Sequence, residues 1–69
     1  MKEIKDKTLW DFCLEYCKAF GRVHDKQRFR NDIALRFYPH DASELYERCL
    51  DKRFFVEDCV NIKFRIQIR

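Results

Sequence analysis

Cys13 and Cys17 stand one helical turn apart, and His24, His40, Cys49 and Cys59 are further ligand types elsewhere in the chain. A Cys-x3-Cys pair on a helix can present two thiolates to a metal, but zinc sites ordinarily use short-spaced ligands in two pairs, and only one short pair exists here. Both of its members fall on an apolar helical face, where reduced thiols fill space as small hydrophobes. No metal ligand set and no cofactor are therefore expected. Cys59, beside a predicted turn, is the thiol most open to oxidation. Asp11 and Glu15, also one turn apart, can pair two carboxylates for acid–base work, although a solvated helix stripe is the ordinary meaning of such spacing. His24 and His40 lie at helix approaches and suit surface or capping hydrogen bonds. There is no Gly-rich phosphate loop and no nucleophile–base pair in a recognisable context, so no residue is assigned to catalysis and the chain reads as a non-enzyme.

The chemistry that remains is charge. The formal net charge is only +3, but it is uneven: residues 1–20 balance, 21–36 sum to +3, 37–59 to −3 and 60–69 to +3. The basic side chains are Arg22, Lys26, Arg28 and Arg30 in one segment and Lys63, Arg65 and Arg69 in the other. Brought together by the fold, they form a cationic patch for nucleic-acid phosphate or an acidic protein surface. Scattered, solvated charge is the alternative.

The elements that must position these residues form one domain over residues 1–69, near the lower size limit for a core without metal, disulfide or partner. Aromatic residues make up 16% of the chain, with one Gly and one Pro, so the sequence invests in large buried side chains. No apolar run is long enough to span a bilayer, and the opening residues lack the apolar core of a signal peptide. A cytoplasmic protein with reduced cysteines is expected.

Thr8 with Asp11 predicts a capped helix over about residues 8–20, stopped by Gly21. Its apolar face is Leu9, Phe12, Cys13, Tyr16, Cys17 and Phe20, with Trp10 and Leu14 beside it, a perimeter wide enough to meet a second protein as well as the core. A brief extended segment follows, and Asp25 caps a second helix over about 26–38 that Pro39 ends. Phe29, Ile33, Ala34 and Phe37 share its inner face. Asp41 with Glu44 opens a third helix over about 42–52, with Ala42, Leu45, Tyr46 and Cys49 inside and an acidic outer face of Glu44, Glu47 and Asp51. Strands are expected over about 53–57 and 59–68. The second alternates apolar and polar residues from Val60 to Arg69, which is the period of a half-buried strand.

Helix, short strand, helix, helix, strand, turn and strand, carried by Gly21-Arg22-Val23, the helices over 26–38 and 41–52, and a hairpin from Phe54 to Ile66, make an α+β order that resembles the winged helix-turn-helix superfamily. That resemblance implies a third helix entering the major groove and a wing touching backbone or minor groove. It also implies a nucleic-acid-binding role such as a transcription regulator or excisionase-like protein, of the kind phages and mobile elements encode. The third helix departs from the pattern, because its carboxylates repel phosphate and Arg48 alone could reach a guanine. The leading expectation is thus a non-enzymatic, regulatory or inhibitory interaction module that binds another macromolecule, a protein before nucleic acid, through the basic strand face and the apolar first helix.

Pairing Phe54–Val56 with Val60–Ile62 around residues 57–59 places Val56 opposite Val60 and Phe54 opposite Ile62, all on one face. Arg22 to His24 can pair with part of what remains of the long strand. The rest is an open edge that invites another strand, either in a two-fold dimer or in the sheet of a different protein. A homodimer through the C-terminal strand is favoured, with Trp10, Phe64, Ile66 and Ile68 at interfaces.

Overall fold

The structure is a computed structural model in which residues 3–66 are described. The first helix, α1, spans Asp6–Phe20 and begins before the Thr8 cap that the sequence suggests. Lys5 occupies its N-cap with no side-chain hydrogen bond. What holds this end is tertiary: Arg48 donates to the backbone oxygen of Ile4 at 2.8 Å and to Asp6 at 2.7 Å, while Lys52 lies 3.2 Å from the same carboxylate. Gly21 stops the helix, with φ at 101° and its N–H on the Cys17 carbonyl, a left-handed backbone that glycine adopts without a steric penalty.

Strand β1 (Val23–Asp25) leads directly into α2 (Lys26–Arg36), whose N-terminus is capped by Asp25 accepting from the Arg28 N–H at 2.9 Å. Helix α2 ends at Arg36, two residues short of the expected end, and a cis Tyr38–Pro39 bond turns the chain toward α3 (Ala42–Asp51). Asp41 caps α3 by accepting from Ser43 N–H. The C-terminus of α3 closes in a Schellman motif, with Phe54 N–H on the Cys49 carbonyl and Arg53 N–H on Leu50. Arg53 carries the left-handed φ of 60° that this motif requires at a position where glycine is usual.

Strands β2 (Phe55–Glu57) and β3 (Asn61–Phe64) complete an α+β fold of three helices and a three-stranded antiparallel sheet in the order β1-β3-β2. The hairpin register differs from the one the alternation suggests. Phe55 pairs with Phe64, Val56 with Lys63 and Glu57 with Ile62, and the backbones of Asp58 and Asn61 exchange hydrogen bonds around a two-residue loop of Cys59 and Val60. Phe55 therefore points inward at 1% exposure, while Val56 and Val60 are 42% and 64% exposed. The odd shift of register turns every β2 side chain to the other face.

The core lies between the inner face of the sheet and the three helices. Leu9, Cys13, Tyr16 and Cys17 come from α1, Phe29 and Ile33 from α2, Leu45, Tyr46 and Cys49 from α3, and Phe55, Ile62, Phe64 and Ile66 from the C-terminal segment, with Phe37 after α2. Phe12 is half-buried and Phe20 is 63% exposed, so the buried face of α1 is narrower than expected. The polar tips of the two core tyrosines are satisfied: Tyr16 donates to Asp32 and Tyr46 to Glu57, each at 2.7 Å. Burial and the Asp32 acceptor push the Tyr16 hydroxyl up to about 12.

Candidate macromolecule-binding surface

The basic residues singled out by sequence divide into three groups. Arg22, Lys63 and Arg65 gather around one open groove of about 360 Å³, lined also by Val56, Phe64 and Ile66. Lys26, Arg28 and Arg30 stand outside it. Lys26 is drawn to Glu57 at 3.7 Å, and Arg30 donates to the Ser43 hydroxyl at 2.6 Å with its guanidinium 5.3 Å from the Tyr46 ring. Arg28 is exposed on α2. Arg69 and Ile68 lie outside the described residues.

Cross-strand pairing builds the groove. Lys63 is opposite Val23 on one side and Val56 on the other, so the pleat sets an exposed Val–Lys–Val row across the outer face of the sheet. Arg65 follows two residues later on the same face, its N–H bonded to the Phe54 carbonyl. Arg22 is held in place because its carbonyl accepts from Phe64 N–H at 2.9 Å. In the opposite direction, about 7 Å from Lys63 at the rise of a β-strand, the row is Asp25, Asn61 and Asp58. The face is graded, with three cations at one end and two carboxylates at the other. Asp25 and Asp58 are occupied as acceptors for the N–H groups of Arg28 and Cys59.

The dimer expected through the C-terminal strand loses its motive over the described residues. Strand β3 is the middle strand, bonded to β1 on one edge and β2 on the other. Phe64 and Ile66 are each 2% exposed within their own core and are not available to another chain. Trp10 remains 37% exposed, with its ring edge-on to Phe54 at a centroid distance of 5.2 Å. Over Asn61–Phe64 the expected open edge is closed on one side by β1, in line with the pairing expected of Arg22 to His24, and on the other by β2.

The outer face of α3 carries Glu44, Glu47 and Asp51, all exposed. Arg48, the one residue there with the chemistry to read a guanine, is committed to Ile4 and Asp6. No local pattern announces this engagement, since Ile4 and Asp6 are far from Arg48 in sequence.

No protein-family model, curated protein or solved structure matches this chain.

The remaining candidate chemistry is placed as follows. Cys13, Cys17 and Cys49 are buried and Cys59 is exposed, all as free thiols. Contact with Cys49, together with burial, holds the Cys13 thiol well above its ordinary value, so it stays protonated. Among the described residues no three His, Cys, Asp or Glu side chains are grouped to hold a metal ion. His24 lies in β1 with its ring edge against Tyr16 and Phe64 and with Nε2 on the Gly21 carbonyl, a packing role. Asp11 and Glu15 line a depression of about 240 Å³ with Thr8, Phe12, Arg36 and Phe37. No described helix is long and apolar enough to cross a membrane.

Proposed function

We propose that this protein is a small, non-catalytic interaction module, regulatory or inhibitory in effect, that binds another macromolecule through the outer face of its sheet. The observation that carries this reading is the convergence of Arg22, Lys63 and Arg65, from two separate basic segments, on a groove that no carboxylate lines among the described residues. Long cationic side chains so close together repel one another weakly in the free protein and gain from an anionic partner. A cytosolic location fits three buried cysteines that remain thiols.

Affinity chromatography on heparin tests the patch against scattered charge. The triple variant Arg22→Ala, Lys63→Ala, Arg65→Ala should elute at lower salt than Lys7→Ala, Lys18→Ala, Arg28→Ala, which removes the same charge from exposed positions outside the groove. Equal elution of the two would sink the reading.

A winged-helix nucleic-acid-binding protein is the second reading, and one observation favours it. The order α1-β1-α2-α3-β2-β3, with the first strand beside the last, is the arrangement the family resemblance implies. The exposed carboxylates of α3 and the engagement of Arg48 within the fold count against duplex recognition by that helix.

A further inference from the structure

Resting on the interaction-module reading, we infer that the occupant of the sheet groove is an acidic segment of another protein that also carries an apolar side chain, and not a nucleic acid. The charge of the groove fits any polyanion, so the choice is made by what surrounds the cations. Lys63 is flanked across the ladder by Val23 at 59% and Val56 at 42% exposure. The phosphate-studded edge of a nucleic acid offers only the small C–H surfaces of its sugars to cover these two side chains. A polypeptide can place a carboxylate on the ammonium or guanidinium groups and lay an aliphatic or aromatic side chain on the valines beside them, gaining charge-assisted hydrogen bonds and apolar burial together.

The short extent of the cationic patch also favours a peptide. The cationic end of the face gives way, about 7 Å along the strand, to the row containing Asp25 and Asp58. A duplex laid along the sheet would bring phosphates against those carboxylates, whereas a short peptide segment can end before them. Nucleic-acid bases find no platform in the groove. Single-stranded nucleic acid gains much of its affinity from stacking on displayed aromatic rings, and the one ring that lines this groove among the described residues, Phe64, is 2% exposed. Arg22, Lys63 and Arg65 thus form the contact for the carboxylates, and Val23 and Val56 select the polypeptide.

Fluorescence anisotropy at about 150 mM salt, where long-range charge is screened, decides between the occupants. The probes are a labelled synthetic peptide of Asp and Glu with a central Leu-Phe pair, a single-stranded oligonucleotide and a short duplex. The wild-type protein should bind the peptide about tenfold more tightly than either nucleic acid, and Lys63→Glu with Arg65→Glu should weaken that binding about tenfold or more. Val23→Ser with Val56→Ser should weaken the peptide about threefold or more and leave the nucleic acids unchanged. Arg28→Glu should bind all probes as the wild type does, and circular dichroism of each variant establishes that it is folded. Tighter binding of either nucleic acid through Lys63 and Arg65 would overturn the inference while leaving the interaction face intact. Peptide binding insensitive to the valine pair would overturn it as well. Failure of every probe to respond to the charge-reversal pair would remove both the inference and the reading beneath it.

Discussion

Replacing Phe29 by Ala removes the ring around which the core is organised. Phe29 is 0% exposed, and the rings of Phe12, Tyr16, Tyr46, Phe55 and Phe64 surround it with centroids 5.8, 5.2, 6.4, 5.3 and 5.3 Å away. Those neighbours come from α1, α3, β2 and β3, so the vacated space is walled by four separate elements and cannot be filled by a small shift of one of them. The expected cost is accordingly in the upper part of the range for Phe→Ala, about 4 to 5 kcal/mol. At roughly 0.05 to 0.15 kcal/mol per residue, a chain of this length holds about 3 to 10 kcal/mol in total. The variant should therefore lose around half of its stability or more, lowering Tm by at least about 15 °C at 4–8 °C per kcal/mol. Thermal and urea denaturation followed by circular dichroism measure this directly, with Leu35→Ala, 81% exposed, as a surface control expected to stay within about 0.5 kcal/mol of wild type. Cooperative melting of Phe29→Ala within about 5 °C of wild type would refute the account of the core.

Two further outcomes follow from the ion pairs and the register. The Arg48 and Lys52 hydrogen bonds hold the Asp6 carboxyl below its ordinary value of 3.8, so its contribution is present above that pH and fades as pH falls through the lowered folded value. The urea midpoint of wild type should exceed that of Asp6→Asn at neutral pH, and the two should converge in acid; a gap unchanged down to about pH 2 would show that the charge is not responsible. In β2, Phe55→Ala should cost about 3 to 5 kcal/mol and Val56→Ala well under about 1. The reverse ranking in equilibrium unfolding would restore the register in which Val56 faces inward.

Local chemistry was legible in the sequence wherever a side chain and its backbone partner lie within a few residues. Asp25, Asp41 and Gly21 mark helix ends correctly because caps are made inside one turn. The start of α1 was misplaced because its fixing contacts come from Arg48 and Lys52, which no local pattern announces. Three successive apolar residues, Phe54, Phe55 and Val56, make the inward set of β2 ambiguous to alternation, and the packing of Phe55 on Phe29 and Tyr46 decides it. Along the C-terminal segment the alternation holds for Ile62, Phe64 and Ile66, which are buried, and fails at Val60, which the two-residue loop leaves 64% exposed before the four-residue β3 begins. For the candidate site, sequence located the basic segments but could not show which cations the fold consumes. Lys26 and Arg30 are paired with Glu57 and Ser43 across elements, and the surviving group of Arg22, Lys63 and Arg65 depends on β1 lying beside β3.

The placement of β3 in the middle of the sheet makes the sheet a unit with one shared support. Strands β1 and β2, each of three residues, pair with β3 and not with each other. Neither can keep its ladder if Asn61–Phe64 detaches, and neither is long enough to persist alone in water. Local opening of this protein is therefore not a peeling of one edge after another. Release of the C-terminal segment undoes three strands, opens the floor of the core and dismantles the cationic groove in a single event, so the groove exists only in molecules whose core is closed, and a ligand seated in it would also hold the fold shut.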